Sequence, residues 1–191
     1  FFVGLKKEKF GEKFFEFPDV KGYKMVSTKE AISDLPSLDK GQSQYHYLKE
    51  PENDYQMKMR EGNNGLIENN DITKHEKKTI DVISLIPDCG SIKDLPEEYY
   101  KIRNYNAAFK RMNSTLPSST IDCGHRNYFH YEENRIPTVR EVARIQSFPD
   151  DFIFLGTKTS QFLQVGNAVP PLLAKEVAKV IMRYLEELEN E

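Results

Sequence analysis

The sequence predicts an α+β fold on three observations: apolar runs at residues 1–5 and 14–17 that read as short strands, apolar residues at helical spacing in the second half, and a polar, loop-rich middle with no internal repeat. Phe1-Phe2-Val3-Gly4-Leu5 is continuous apolar sequence, as a buried strand requires, and the charged stretch 6–13 connects it to Phe14-Phe15-Glu16-Phe17-Pro18. Ser27 and Thr28 ahead of Lys29-Glu30-Ala31-Ile32 make a capped helix start, which Pro36 stops. Residues 39–72 are rich in Asn, Gln, Glu and Lys and show no period, so a long loop or poorly ordered insertion is expected there. Ile80, Val82, Ile83, Leu85 and Ile86 set a helical pattern over 73–85 that ends at Pro87, with Asp88-Cys89-Gly90 as a turn. Two strands are expected around 106–111 and 118–122. Thr138-Val139-Arg140-Glu141 fits a capping box, in which the Thr oxygen accepts from the backbone near Glu141 and the Glu carboxylate returns to the cap. That helix ends at Pro149-Asp150. The last one starts at Pro171 and runs to about Leu188, with Leu173, Val177, Val180, Ile181, Tyr184, Leu185 and Leu188 in one stripe.

Composition narrows the function classes. The 191 residues are 38% hydrophobic and 30% charged, which suits a globular domain with a core and a polar surface. Nothing approaches the apolar run of ~20 residues that a membrane span needs. Cys89 and Cys123 are the only cysteines and form no CxxC, and the four histidines are scattered, so neither a disulfide framework nor a metal site is expected. The net charge of −3 argues against indiscriminate attraction to a polyanion. Distribution matters more than the sum. Residues 99–120 contain no Asp or Glu, while Lys101, Arg103, Lys110 and Arg111 alternate with Tyr99, Tyr100, Tyr105, Phe109 and the amides of Asn104, Asn106 and Asn113. Cations there suit phosphates and amides suit base edges; an ordinary solvated strand pair has the same composition. Two apolar surfaces, the opening run and the final stripe, either pack on each other or dock on a body outside this chain. The run 166–171 lacks the glycines and the Lys-Ser or Lys-Thr of a phosphate loop.

A resemblance sharpens this reading. Arg135-Ile136-Pro137-Thr138-Val139-Arg140-Glu141-Val142-Ala143-Arg144-Ile145-Gln146-Ser147-Phe148-Pro149-Asp150-Asp151-Phe152 resembles the ninth conserved motif of the DNA (cytosine-5) methyltransferases, and Gln164-Val165-Gly166-Asn167-Ala168-Val169-Pro170-Pro171-Leu172-Leu173-Ala174 resembles the tenth. Phe1-Phe2-Val3-Gly4 is similar to the tail of the eighth, and the stretches 86–96 and 111–121 resemble the region before the ninth in bacterial members. The resemblance implies a small target-recognition domain plus a strand and C-terminal helix that complete a Rossmann-like α/β methyltransferase domain. Residues 1–17 would end the catalytic-domain sheet, 18–160 would form the recognition domain with the ninth-motif helix, and 161–191 would hold the tenth motif and closing helix. Arg103, Lys110, Arg111, Asn113, Thr120 and Arg126 are the expected DNA contacts, with Thr120 in the place of the family's Thr-Leu dipeptide beside the flipped cytosine. Arg140, Glu141 and Arg144 are expected to organise the fold from inside. Asn167, Ala168 and Val169 are implied at the wall of an S-adenosyl-L-methionine pocket.

The departures matter equally. The family attacks cytosine C6 with the cysteine of a Pro-Cys motif and assists at N3 from a Glu-Asn-Val motif. Neither motif occurs here, nor does the glycine-rich motif that opens the cofactor fold. No catalytic residue is therefore expected in this chain, which should be inactive alone. The resemblance implies double-stranded DNA and the N-terminal catalytic half as partners, base flipping, no metal and no membrane, and a cytoplasmic place in a bacterial restriction-modification system. The chain is expected to be an excised fragment or a natural split subunit; the alternative is a catalytically dead DNA-binding or regulatory module with the recognition fold.

Overall fold

Residues 2–19, 21–37, 45–100, 109–122 and 128–189 are described by a computed structural model. The chain divides into two units, residues 1–24 with 169–191, and residues 25–168. The divisions fall at 24/25 and 168/169 rather than at the expected 17/18 and 160/161.

In the smaller unit, neither 2–5 nor 14–17 forms a strand. Among the described residues no neighbouring strand supplies the ladder that such a segment needs. The chain makes a single turn, α1 (Lys7–Phe10), and then runs along the final helix, α8 (Pro171–Glu189). The Phe10 and Phe15 rings lie 6.0 and 5.6 Å from that of Tyr184. The Tyr184 hydroxyl donates to the Phe14 carbonyl and accepts from the Glu16 amide, at 3.1 and 3.2 Å. Val177 and Val180 are buried, but Leu173, Ile181 and Leu185 stay 42%, 38% and 46% exposed. The final stripe is thus met by Phe10 and Phe15 and covered only in part, while Phe2 of the opening run is fully exposed.

The larger unit is built around α6 (Val139–Ile145), which is buried on nearly every side. Its capping box forms: Thr138 Oγ1 accepts from the Glu141 amide at 3.1 Å, and Glu141 accepts from the Thr138 amide at 2.7 Å. Val139, Val142 and Ala143 pack with Met112, Ile121, Phe148, Phe154 and two residues of α7 (Lys158–Asn167), Phe162 and Val165. The sequence pattern does not announce α7, whose apolar positions are interrupted by Gln161, Gln164 and Gly166. A second cluster joins Ile83 and Ile86, from the end of α4 (Lys77–Leu85), to Ile92, Phe129 and Ile136. A third joins α2 (Thr28–Ile32) to Leu35 and Ile67.

Two expectations are corrected here. The stretch 39–72 was expected to be a loop, but its described part, 45–72, contains α3 (Asp54–Arg60) and buries Gln56, Met59, Ile67 and Asn70. Polar residues are tolerated inside because they are bonded. Gln56 Nε2 donates to the Glu30 carbonyl at 2.8 Å and to Ser33 Oγ at 3.0 Å, and Asn70 Oδ1 accepts from Thr138 Oγ1 at 2.9 Å. The strand expected at 118–122 is absent. Two two-residue strands, β1 (Lys110–Arg111) and β2 (Tyr128–Phe129), pair in parallel instead, and 118–122 stays irregular because the loop before it is tied elsewhere. A short 3-10 turn (Ile92–Asp94) and α5 (Glu97–Tyr100) complete the described elements. No described helix is long and apolar enough to cross a membrane.

Candidate nucleic-acid interface

The loop from Asn113 to Thr120 leaves the core at buried Met112 and re-enters it at buried Ile121, so its ends are pinned by apolar packing. Three further sets of bonds fix its path. Asn113 Oδ1 accepts from the Thr115 amide at 2.8 Å and the Leu116 amide at 3.0 Å, a side-chain turn of the kind Asn favours. Asp88 grips Ser114 twice: Oδ1 accepts from its amide at 2.9 Å and Oδ2 from its hydroxyl at 2.5 Å. From the other side, the first turn of α2 donates its unspent N–H groups: Thr28 to the Leu116 carbonyl at 2.9 Å, Lys29 to that of Ser114 at 3.2 Å. Ser27 has already capped that helix through the Glu30 amide at 3.1 Å.

Thr120 is exposed at the end of this loop. With Pro117, Ser118 and Ser119 it forms one wall of a cleft of about 320 Å³ whose other walls come from Val26–Thr28, Tyr55 and Ile145–Ser147. The lining carries hydroxyls and one carboxamide, with neither a carboxylate nor a cation. Ser147 holds φ +61°, the left-handed region that L residues other than Asn and Asp rarely occupy.

The expected DNA contacts separate. Lys110 is exposed on β1. Asn113 presents a partly buried side chain whose oxygen is spent on its own loop. Arg103 and Arg126 lie outside the described residues. Arg111 is a correction. Its side chain points into the protein, donating to the carbonyls of Ile83 (2.7 Å), Ile86 (2.8 Å), His130 (2.9 Å) and Glu133 (3.1 Å) and to Asn134 Oδ1 (2.8 Å). Burial lowers its pKa, with the nearby Asp88 acting the other way. A guanidinium with every edge occupied by protein oxygens has none left for a phosphate. The alternating pattern of a strand cannot distinguish an inward cation from an outward one unless the pleat's register is known.

Arg140 and Arg144 are wholly buried. Arg144 Nε donates to Asp150 at 2.5 Å and Nη1 to Asp34 at 3.0 Å; burial works against its charge, but the two carboxylates outweigh burial and raise its pKa. Arg140 is bound by the carbonyls of Glu68, Pro149 and Phe152 at 3.0, 3.0 and 2.6 Å. Glu141 is held by both Nη atoms of Arg135, at 2.8 and 2.7 Å, and although burial opposes ionisation the guanidinium and His130 bring its pKa down to about 2. Burial lowers the His130 pKa, with Glu141 acting the other way, and its Nδ1 accepts from the Glu132 and Glu133 amides at 3.1 and 3.0 Å. Asp34 and Asp88 are the two residues of this region that sequence reasoning missed. Each meets its partner across a gap of 110 or 26 positions, a separation that leaves no local signal.

Asn167 is the exposed last residue of α7, Ala168 packs against the core of the larger unit, and Val169 is an exposed residue of the smaller unit. Among the described residues no group of three His, Cys, Asp or Glu side chains could hold a metal ion.

Residues 1–183 match the C-5 cytosine-specific DNA methylase family. Curated relatives agree. Type II methyltransferase M1.HphI of Haemophilus parahaemolyticus is 42% identical over 66% of this chain and 34% of its own. Type II methyltransferase M.DdeI of Desulfomicrobium norvegicum is 34% identical over 98% of this chain and 51% of its own. Type II methyltransferase M.AquIB of Picosynechococcus is 34% identical over 65% of this chain but 94% of its own. This chain thus spans about a third to a half of the length of the first two. The fold is also that of a solved structure described as a DNA modification methyltransferase encoded within an E. coli prophage, with a TM-score of 0.68 at 20% identity over 96% of this chain and 52% of that one. A family match that runs through both long motifs and the loop that precedes them leaves one assignment: the chain belongs to the C-5 cytosine-specific DNA methylases.

Proposed function

We propose that this chain is the target-recognition region and the cofactor-side closing segment of a DNA (cytosine-5) methyltransferase. It reads a specific duplex site, and a separate catalytic half supplies the nucleophile. The observation that carries this reading is the tethered loop 113–120: a short irregular segment fixed by Asp88, α2 and two core residues, with hydroxyl and amide side chains and Thr120 at its exposed end. Rigid presentation of small hydrogen-bonding groups suits contact with a nucleic-acid backbone and base edges. The cytosine must leave the stack, because C5 and C6 of a stacked base cannot meet a nucleophile and a methyl donor in the required geometry.

The thiolate for C6 comes from outside this chain in this reading, since no Pro-Cys dipeptide is present and Cys89 follows Asp88 on an exposed turn. S-adenosyl-L-methionine supplies the methyl group when bound. Asn167 fits its wall by chemistry, an exposed carboxamide suited to a ribose or amino-acid group, and Ala168 and Val169 add small apolar surface. The partly covered stripe of α8 supports docking on the missing half, and M.AquIB, covered over 94% of its length, supports the view that this region can stand as a polypeptide of its own.

The test mixes this chain with an N-terminal half carrying the Pro-Cys motif and follows transfer of labelled methyl groups to duplex DNA. Activity is expected in the mixture and in neither part alone. A mixture that forms a complex and transfers nothing points to the inert DNA-binding module instead, and a chain that binds no duplex DNA removes both readings.

A further inference from the structure

We propose that Asp88 is a positioning residue for target recognition: its bidentate grip on Ser114 sets where the loop ending at Thr120 stands. The assignment rests on the recognition reading above and adds to it a residue outside the loop that determines specificity.

Asp88 has two features that suit it to this task. It stands on a turn that cannot drift. Gly90 N–H donates to the Pro87 carbonyl at 2.9 Å, and the Gly90 carbonyl accepts from the Arg111 amide at 2.8 Å, tying the turn to β1. A Cβ at Gly90 would sit 2.6 Å from Pro87 Cγ, so the turn closes this tightly only with glycine. Both carboxylate oxygens are also committed to the same residue, the amide and hydroxyl of Ser114 at 2.9 and 2.5 Å, so the grip fixes direction as well as distance. The opposite side of the loop is tied by α2, through the backbone N–H groups of Thr28 and Lys29 and through the Thr28 hydroxyl, which donates to the Leu116 carbonyl at 3.3 Å. Asp88 is thus the strap on the Ser114 side of the loop, reaching it from outside by its side chain alone.

An exposed carboxylate beside a DNA-reading loop repels phosphate, which is a cost to non-specific binding. Holding Ser114 offsets that cost by fixing the geometry of Ser118, Ser119 and Thr120. Because Asp88 is exposed, Ser114 only half-buried, and neither belongs to a core cluster, removing the strap displaces the loop without unfolding the unit.

The experiment first selects a preferred duplex from a randomised pool with the wild-type chain, then measures affinity for that duplex and for a random-sequence duplex of equal length. Asp88→Ala is expected to lose about tenfold of the preference, the effect of one well-aligned hydrogen-bonded contact, while its random-sequence affinity holds or rises. Asp88→Asn removes the same charge but keeps an acceptor for the Ser114 amide, and it is expected to retain most of the preference. Wild-type preference in Asp88→Ala overturns the assignment. So does an Asp88→Asn variant as impaired as Asp88→Ala, or a loss accompanied by falling far-ultraviolet ellipticity under the binding conditions. A wild-type chain that selects no duplex overturns the recognition reading itself, and the assignment with it.

Discussion

Arg111→Ala separates a folding arginine from a DNA-binding one. The guanidinium ties the carbonyls of Ile83, in the last turn of α4, and of Ile86 just after it to the 130–134 segment through five bonds of 2.7 to 3.1 Å. Each bond from a charged donor contributes roughly 1.5–3 kcal/mol when removed singly, but five on one group are not additive, since carbonyls at the unit's edge recover water. The loss is therefore set by the carbonyls left inside and by the packing of the arginine stem, and comes to about 3–5 kcal/mol, comparable with breaking a buried charge pair. Arg111→Lys offers three donors from one point in place of a planar fork and should recover less than half of this. Urea unfolding of the larger unit measures the first quantity; duplex affinity as a function of salt, on protein still folded, measures the second. A phosphate contact would take about 0.9 from the slope of log K against log salt on its removal. An unchanged slope with a large stability loss is expected. A slope reduced by about one with unfolding energy intact refutes the structural role.

Arg144→Leu takes the shared cation from two buried carboxylates, leaving Asp34 with Arg60 and Asp150 with the Tyr47 hydroxyl, and should cost about 3 kcal/mol by chemical denaturation, the low end for breaking a buried pair. Ser147→Gly relieves a left-handed residue at φ +61°, where the steric gain of about 1–2 kcal/mol exceeds glycine's entropic cost of about 0.5–1, so the urea midpoint should rise. Gly90→Ala forces a Cβ to within 2.6 Å of the Pro87 ring and should destabilise by about 1–3 kcal/mol in the same assay. Glu141, with its pKa lowered from 4.5 to about 2, contributes stability that is fully present above the unfolded value and is lost as pH falls through the folded one; Glu141→Gln should flatten the acid limb of the unfolding profile between those values.

Helix starts were the part of this fold best written in the sequence. Ser27 with Glu30 and Thr138 with Glu141 both close capping boxes, because the signal lies within four residues and its physics is local. The insertion 45–72 was unreadable for the opposite reason: Gln56 and Asn70 are buried by bonds to Glu30, Ser33 and Thr138, partners 23 to 68 positions away, and composition alone makes such residues look solvated. Short strands failed similarly. A strand at residues 1–5 needs a neighbour to complete its ladder, and the parallel pair β1 and β2 is created by the tertiary path rather than by alternation in its two-residue members. At the candidate site Thr120 is legible only through the resemblance, and Asp88 has the local sequence of an ordinary turn because its partner Ser114 lies 26 positions away.

In the proposed function, the disposition of arginine favours selectivity in a net-acidic chain. Arg60, Arg111, Arg135, Arg140 and Arg144, the described arginines of the larger unit, are all bonded to protein oxygens, and Arg60 also lies 3.7 Å over the Tyr47 ring. Arginine's planar fork can satisfy several carbonyls or carboxylates at once, so it takes the interior positions where irregular backbone must be held without a large sheet. Cationic charge that is spent inside cannot attract phosphate indiscriminately, and the loop 113–120 itself carries hydroxyls and one amide, with Lys110 exposed on β1 before it. In the proposed function, affinity then depends on the fit of a fixed loop to one duplex more than on long-range attraction. That makes loop placement, and hence the Asp88 strap, the quantity on which discrimination turns.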